Sequence, residues 1–377
     1  MRTLVVSDLH LGARAGVDVL RREQALAALL PEVFRCDRLV LLGDVLELRQ
    51  GPVREALSAA ELVLREIGAA LGPGSEAVIV PGNHDHHLAA AWLARRAREA
   101  EPPPLGLESE LDWEPGETLG AVASWLEPAR VRTAYPGVWL RDDVYAIHGH
   151  YADRHTTVPM FERLGAGAMA RLVRDSAEGP ARAEDYETVL APIYAWIHAV
   201  AQNRTSGGRR GTDGASSRAW RTLSSDGRGR RSSRRTALKL VFPAAVAGLN
   251  RAGLGPLRAD ISGAELRRAG LLALTTTLRR LGVRAPHVIF GHTHRAGPLP
   301  GDDASEWRTP DATSLTNTGC WVYERAYLGR DASNSPYRPG FCAVLNEAGP
   351  PVLSNLLDGV VPFETLRSPT QAERMSR

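Results

Sequence analysis

The chain begins with the sequence MRTLVVSDLH at residues 1–10, in which an apolar, β-branched run is followed by polar residues. Two further runs of this kind occur in the first 100 residues, at 38–42 and 77–80. Segments with helical spacing alternate with them, at 17–33, 53–71 and 88–100. Such alternation predicts an α/β fold with a largely parallel sheet. Each run ends in polar residues, and the carboxyl ends of parallel strands are where α/β proteins place their functional sites.

Residues 101–147 predict irregular structure followed by short strands. Four prolines between 102 and 115 indicate that residues 101–128 form no regular element. Strand-like runs follow at 130–133, 138–140 and 144–147, separated by Pro136-Gly137 and Asp142-Asp143. Both dipeptides are typical of turns, so we expect antiparallel pairing here.

The remaining chain predicts a helical insertion and then a second group of strands. Helical periodicity occurs at 161–173, 186–200 and 265–281. Strand signals return at 287–290, 314–316, 321–323, 341–345 and 352–356. We therefore expect a core formed by residues 1–150 and 286–377, with a helical cap insertion at 151–285.

Charge is unevenly distributed along the 377 residues, although 46 Lys and Arg against 43 Asp and Glu give a net charge of only +3. Residues 204–239 hold ten Arg and one Lys but two Asp, so this segment carries +9 and the remainder −6. Its Gly/Ser/Arg composition cannot bury a core, which predicts a disordered loop. Three interpretations of the basic segment stay open: a solvated loop, a nucleic-acid contact, and a contact with an anionic membrane surface.

The three cysteines, Cys36, Cys320 and Cys342, are too few and too scattered for a disulfide framework or a zinc knuckle. We interpret them as small core residues of a protein in a reducing compartment. The N-terminal residues lack the features of an export signal, and the longest weakly charged apolar stretch, 240–249, has about half the length that crosses a bilayer. These features predict a cytoplasmic protein. Whether the basic segment also brings the protein into peripheral contact with the membrane stays open.

Polar clusters at five predicted strand ends contain most of the eleven histidines. They also supply carboxylate and amide oxygens but no thiolate, a donor set that suits Mn, Fe or Zn. The seven candidate metal ligands are Asp8, His10, Asp44, Asn83, His148, His292 and His294.

Spacing within the clusters favours two metal ions. Asp8/His10 and His292/His294 are pairs at i and i+2, and alternate residues just after a strand point in the same direction. Seven donors exceed what one ion needs when substrate and water must also bind. Two divalent ions about 3.5–4 Å apart, sharing one bridging carboxylate, would use them all.

In their order along the chain, the five clusters resemble the motifs of the calcineurin-like metallophosphoesterases. The matching blocks are Asp8-Leu9-His10, Gly43-Asp44, Gly82-Asn83-His84-Asp85, His148-Gly149 and Gly291-His292-Thr293-His294. The resemblance covers residues 1–150 and 286–325. It implies a four-layer αββα sandwich of two mixed sheets that carries a dinuclear metal site.

The resemblance also implies a role for each matching residue. The first metal would be held by Asp8, His10 and His294, the second by Asn83, His148 and His292, with Asp44 bridging the two. His84 matches the family's histidine that is not a ligand and protonates the leaving oxygen, and Asp85 would orient it. A hydroxide shared by the two metals would attack phosphorus in line.

The surroundings of the blocks narrow the substrate class. The run VLELR after Gly43-Asp44 departs from the pattern of protein Ser/Thr phosphatases, which disfavours that activity. Residues 7–12, Glu47 and the helical insertion resemble the branch that contains UDP-2,3-diacylglucosamine pyrophosphatases. That branch commonly has Arg where His84 stands, so the resemblance locates a cap without naming the substrate.

We therefore expect hydrolysis of phosphoester or pyrophosphate bonds in a small phosphorylated substrate, with no obligate protein partner. Arg295 and His150, close to predicted ligands, are candidates for substrate binding. Four arginines of the insertion are candidates for selecting the non-reacting part of the substrate: Arg154, Arg163, Arg171 and Arg174. The alternative function is a nucleic-acid phosphodiesterase, a nuclease or a nucleic-acid-binding protein that uses the basic segment.

Overall fold

The structure is a computed structural model, and it describes residues 1–159, 161–173, 179–202, 243, 245–252, 254–258, 260, 262–329 and 331–366. The basic segment at 204–239 and Arg174 lie outside the described residues. The predictions made for them are therefore not addressed by the fold.

Ten strands are present in the described part of the chain, and they form a single mixed sheet. They are β1 (Thr3–Val6), β2 (Arg38–Leu42), β3 (Glu76–Val80), β4 (Glu108–Glu110), β5 (Arg130–Arg141), β6 (Val144–Ile147), β7 (His287–Phe290), β8 (Ser314–Asn317), β9 (Phe341–Leu345) and β10 (Val352–Asn355). The strand order is β10-β9-β1-β2-β3-β5-β6-β7-β8, and β4 pairs with β5 outside this path. The predicted α/β class with a mixed sheet is thus confirmed.

Parallel pairing joins β1 to β2, β2 to β3, β3 to β5, β6 to β7 and β7 to β8. Antiparallel pairing joins β5 to β6, β1 to β9 and β9 to β10. The strands β1, β2 and β3 form one parallel group and β6 and β7 another, and the carboxyl ends of parallel strands are where α/β proteins place their sites. Each of the five predicted polar clusters follows one of these strands.

The predicted turn at Pro136-Gly137 is wrong, because β5 continues through both residues. Its first residues pair with β3 and its last with β6, so the strand changes partners near Pro136. Gly137 is needed there for close approach: a Cβ would lie 2.5 Å from the carbonyl oxygen of Ala146. One long strand therefore connects β3 to β6, and the four-layer arrangement of two sheets that the family resemblance implies stays a prediction.

Eight α-helices have both ends among the described residues. They are α1 (Glu23–Phe34), α2 (Val53–Leu71), α3 (His87–Arg96), α4 (Thr118–Trp125), α5 (Phe161–Leu172), α6 (Ala183–Gln202), α7 (Gly263–Leu281) and α8 (Arg325–Leu328). Short 3₁₀ helices occur at Val19–Arg21, His150–Arg154, Ala304–Trp307 and Phe363–Leu366. No helix in the described ranges is both long enough and apolar enough to cross a membrane.

Two further sequence predictions about local structure were wrong. Residues 101–128 contain β4 and α4, because the prolines at 102–104 and 115 lie outside these elements and leave apolar α4 free to form. Residues 321–323 form no strand and make only an isolated bridge from Val322 to Asp18. The three cysteines are free and buried, as predicted.

The described residues fall into two compact units. The first unit lies within Met1–His150, Ile197–Ser206 and Arg284–Arg377, and it contains the whole sheet. The second unit lies within Tyr151–Trp196 and Gly207–Val283 and contains helices α5 and α7 and most of α6. Buried Val, Leu, Ile and Ala side chains on β1–β3, β5–β7 and β9 form a core cluster of the first unit.

Candidate metal centre

All seven predicted ligands lie in the first unit, and they meet just after the carboxyl ends of five strands. Three groups of side chains have their possible ligand atoms within 4.8 Å of one another. These groups are Asp8/His10/His294, His10/Asp44/His84 and Asp44/His148/His292. The Asn83 side-chain oxygen joins the third group, 3.3 Å from His148 Nε2 and 3.1 Å from His292 Nδ1. Residues from five separate strand ends therefore converge on one site.

An unusual backbone conformation marks the same residues. Six residues other than glycine have positive φ in the described ranges, and five of them are predicted ligands. Their φ values are 55° for Asp8, 46° for His10, 53° for Asp44, 68° for His292 and 57° for His294. Left-handed backbone is disfavoured for residues with a Cβ and clusters at functional sites, where the surrounding structure holds it in place.

Glycines allow the chain segments of the site to approach closely. A Cβ on Gly82 would collide with the carboxylate of Asp44 and lie 2.7 Å from its backbone nitrogen. A Cβ on Gly43 would meet the His148 imidazole, and one on Gly291 would meet the Asp8 carboxylate. The glycine in each of these three blocks is thus required by packing around a candidate ligand.

The polar atoms of the centre are arranged as acceptors that face one another, as expected around a cation. Asp8 Oδ1 is buried without a hydrogen-bond partner and lies 3.3 Å from His294 Nε2. His294 Nε2 in turn lies 3.0 Å from His10 Nε2. Buried polar atoms are normally paired, so an orphaned carboxylate oxygen beside two imidazole nitrogens fits a divalent metal.

Asn83 can complete the centre in either of two amide orientations. With its oxygen toward His148 and His292, the side chain presents a further ligand atom to a cation. With the amide turned over, its nitrogen donates to His292 Nδ1 and Asp44 Oδ2, and its oxygen accepts from Arg49 Nη1 at 2.8 Å. The first orientation fits a bound metal and the second a metal-free network.

Carboxylates and imidazoles of the centre shift one another's pKa. Burial opposes the charge on Asp44, but His148, His84 and His10 outweigh burial and hold the Asp44 pKa well below its usual range. Burial would also lower the pKa of His148, yet Asp44 and Asp8 raise it to about 10. The pKa of His10 is raised to about 9, against the effect of burial, by Glu47, Asp44 and Asp8. The field of the site therefore favours positive charge, which a metal ion can supply in place of protons.

A family model described as calcineurin-like phosphoesterase matches residues 1–192, about half of the chain. The chain belongs to the calcineurin-like phosphoesterases. Members of this family typically use divalent metals for phosphoester hydrolysis, and the Asp and His groups described above could hold a metal. No curated protein compared with the chain matches it.

The calcineurin-like match ends before the fifth block, so the fold has to bring that block to the site. His292 and His294 follow β7, which lies beside β6 in the sheet. The His292 backbone N–H donates to Asp8 Oδ2 at 3.0 Å, which ties the fifth block to the first. All seven predicted ligands are therefore brought together, and their assignment to two metals stays a prediction.

His84 lies at the accessible side of the centre, and Glu47 rather than Asp85 orients it. The His84 side chain is 26% exposed, whereas the carboxylate of Glu47 is 1% exposed. His84 Nδ1 lies 2.8 Å from Glu47 Oε2. Burial lowers the pKa of His84, and the charges of Glu47 and Asp44 oppose that effect.

The expected role of Asp85 in orienting His84 is corrected by its hydrogen bonds. The Asp85 carboxylate accepts backbone N–H groups from Gly82, Asp44, Val45 and Leu46 at 2.7–3.3 Å. These bonds satisfy both carboxylate oxygens and hold the block after β2 against the block after β3. Asp85 therefore shapes the backbone of the site, and it does not contact the His84 imidazole.

Both candidates for substrate binding have partners within the protein. The Arg295 guanidinium pairs with both oxygens of Asp302, at 2.9 and 2.5 Å, and lies 5.4 Å from the centre of the Trp307 ring. His150 is 1% exposed, and its Nε2 lies 3.2 Å from the hydroxyl of the buried Tyr135. Binding of substrate by these two side chains stays a prediction.

Two residues of the site were missed or undervalued by sequence reasoning. Glu47 entered only as part of a family resemblance, although it accepts from two imidazoles of the centre. Arg49 was not among the predicted site residues, although it donates to the Asn83 side-chain oxygen when the amide is turned over. The signal that could have found them is their position three and five residues after Asp44, in the segment that leaves the site.

Proposed function

We propose that the chain hydrolyses phosphoester or pyrophosphate bonds of a small anionic substrate with the help of two divalent metal ions. The observation that supports this most directly is the meeting of seven donors with the partly exposed His84 at one site. The proposal includes the four-layer arrangement of the sheet that the family resemblance implies. It also includes a cytoplasmic location and an affinity for Mn, Fe or Zn.

The proposed ligand sets follow from the donor groups. Asp8, His10 and His294 would hold one metal, Asn83, His148 and His292 the other, and Asp44 would contact both. When bound, such ions neutralise phosphoryl oxygens and make an attacking water more acidic. The left-handed backbone at five of these residues helps to aim their side chains at a common point.

In the proposed reaction, the chain's own residues position the substrate and move one proton. Glu47 accepts from His84 Nδ1, which leaves Nε2 for the leaving oxygen of the substrate. The Glu47 carboxylate stabilises the imidazolium form of His84 against the penalty of burial. His84 can then donate a proton from Nε2 as the bond to phosphorus breaks. Arg49, beside Asn83, is a cationic group that could bind a phosphoryl oxygen.

This proposal is tested by comparing two substitutions at the centre. Asp44→Asn should lower metal content, measured by elemental analysis, and abolish metal-dependent hydrolysis of bis-p-nitrophenyl phosphate. His84→Ala should keep the metals and lose about 10²–10⁴-fold in kcat with poor leaving groups. Wild-type protein that hydrolyses no member of a panel of mono-, di- and pyrophosphate esters in the presence of Mn, Fe or Zn would refute the proposed activity.

The alternative of a nucleic-acid phosphodiesterase rests on the net charge of +9 at residues 204–239. A steep salt dependence of binding to duplex or single strands would favour it. Hydrolysis of small esters that is insensitive to salt would favour the small-substrate proposal. The resemblance to UDP-2,3-diacylglucosamine pyrophosphatases makes a sugar-nucleotide pyrophosphate one member of the panel to include.

A further inference from the structure

The two oxygens of the Asp8 carboxylate have different surroundings. Oδ1 has no hydrogen-bond partner among the described residues and lies 3.3 Å from His294 Nε2. Oδ2 accepts from two donors, the Ser7 hydroxyl at 2.5 Å and the His292 backbone N–H at 3.0 Å. One oxygen is thus held by the protein, and the other is left to a metal ion.

The Ser7 hydroxyl is held in turn by Thr318, and the direction of the hydrogen bonds is fixed. Ser7 has one proton to donate, and Asp8 Oδ2 is its nearer acceptor, since the Gly319 carbonyl oxygen is 3.5 Å away. A carboxylate that ligates a metal is ionised and only accepts, so the Thr318 hydroxyl, 2.7 Å from Ser7 Oγ, donates to Ser7. The Phe290 carbonyl oxygen is farther from Thr318 Oγ1, at 3.2 Å, and already accepts the Thr318 backbone N–H at 2.9 Å. The bonds therefore run from Thr318 through Ser7 to Asp8, and we call these two hydroxyls the hydroxyl relay.

The hydroxyl relay is buried and links distant parts of the chain. Ser7 follows β1 and Thr318 follows β8, and both residues are 0% exposed. Gly291 packs against the relay, because a Cβ there would collide with Ser7 Oγ and with Asp8 Oδ2. Solvent has no access to these hydroxyls, so a hydrogen bond that is removed from the relay is not replaced by bulk water.

We propose that Ser7 and Thr318 are positioning residues that fix Asp8 as a ligand through Oδ1 alone. This role rests on the proposed function, since it requires a metal ion at Asp8. A carboxylate with both oxygens free could present either one or both to a cation. Two donors on Oδ2 remove that choice before the metal binds, so less ordering remains to be done on binding.

Metal binding by the full chain after chelation tests the role without recourse to hydrolysis. Competition with a chromophoric chelator measures the Kd for Zn²⁺, and Asp8→Asn identifies the binding event that depends on Asp8. Ser7→Ala should raise the Kd of that event about 10- to 100-fold, the usual effect of removing a group that orients a metal ligand. The physical reason is that Oδ2 then keeps only the His292 backbone N–H.

A matched pair at Thr318 separates the hydroxyl from the packing, and it covers the case in which Ser7→Ala does not fold. Thr318→Val keeps the shape of the side chain and removes the hydroxyl, so it should raise the same Kd by a smaller factor than Ser7→Ala. Thr318→Ser keeps the hydroxyl and should retain the wild-type Kd. Thr133→Val is the control, because the buried Thr133 hydroxyl donates to the Leu111 carbonyl oxygen and does not belong to the relay. It should also retain the wild-type Kd.

An unchanged Kd in Ser7→Ala and Thr318→Val would overturn the role and leave both hydroxyls as packing groups. Equal losses in Thr318→Val and Thr318→Ser, or a comparable loss in Thr133→Val, would overturn it too, because the effect would then not depend on the hydroxyls of the relay.

Failure of the proposed function gives a different result. A chain that binds Zn²⁺, weakens its binding in Ser7→Ala and hydrolyses no phosphoester would keep the positioning role and refute the hydrolase. Wild-type protein that binds no divalent metal would overturn both.

Discussion

Glu47 accepts hydrogen bonds from two imidazoles of the centre, and this double contact makes it the most informative single residue. Its Oε2 lies 2.8 Å from His84 Nδ1 and 3.2 Å from His10 Nδ1. Gln50 Nε2 and the Arg49 backbone N–H fix the carboxylate from the other side. Burial opposes the charge on Glu47, but the charges and hydrogen bonds of His84 and His10 outweigh burial and lower the Glu47 pKa. Glu47 thus sets the orientation of a predicted ligand and of the proposed acid together.

Replacing Glu47 with Gln should lower turnover through His84 and His10. The amide keeps the size of the side chain but removes the negative charge, so we expect kcat to fall about 10- to 100-fold. The loss should grow as the leaving group becomes poorer, which a series of aryl phosphates measures. Asp85→Asn is the comparison: a loss that depends on the leaving group in Asp85→Asn but not in Glu47→Gln would contradict the assignment.

At the scale of elements, β5 decides how the sheet is assembled. Its first part pairs with β3 and its later part with β6, and the antiparallel turn to β6 at 142–143 reverses the chain. β6 then pairs in parallel with β7, so the fourth and fifth blocks follow neighbouring strands. The continuity of β5 through Pro136 and Gly137 is therefore a condition for the site.

Gly137→Ala should destabilise the first unit. The added Cβ would lie 2.5 Å from the Ala146 carbonyl oxygen and collide with the Tyr145 hydroxyl, so β5 or β6 must shift. We expect a loss of about 1–3 kcal/mol in the free energy of unfolding, measured by urea denaturation. Gly106→Ala is the matched control, because its Cβ would meet no atom closer than 3.8 Å. A Gly137→Ala protein as stable as the control would contradict the close approach of β5 and β6.

At the scale of the whole molecule, the residues of the candidate centre and the basic segment occupy different parts of the chain. The centre uses residues 8–148 and 292–294, whereas residues 204–239 carry the charge of +9. The remainder carries −6, and its buried carboxylates at the centre are part of that charge. The candidate metal ligands and the strongly basic segment are thus separated along the sequence.

Deletion of residues 204–239 should leave hydrolysis of an aryl phosphate within about twofold of wild type, because no candidate ligand lies in the segment. Binding to anionic vesicles or to nucleic acid, if the full chain shows it, should weaken and lose its salt dependence. Hydrolysis kinetics measure the first effect, and binding assays with and without added salt measure the second. Complete loss of metal-dependent turnover would contradict the separation of the centre from the segment.

The sequence by itself determined the α/β class, most strand positions and the set of donors, because these depend on local periodicity and on residue types at strand ends. Only the tertiary structure decided the partners of buried side chains. The Asp85 carboxylate accepts hydrogen bonds from backbone N–H groups, Arg295 pairs with Asp302, and His84 is hydrogen-bonded to Glu47. Such choices depend on distances between segments that are far apart in the chain, and no local pattern encodes those distances.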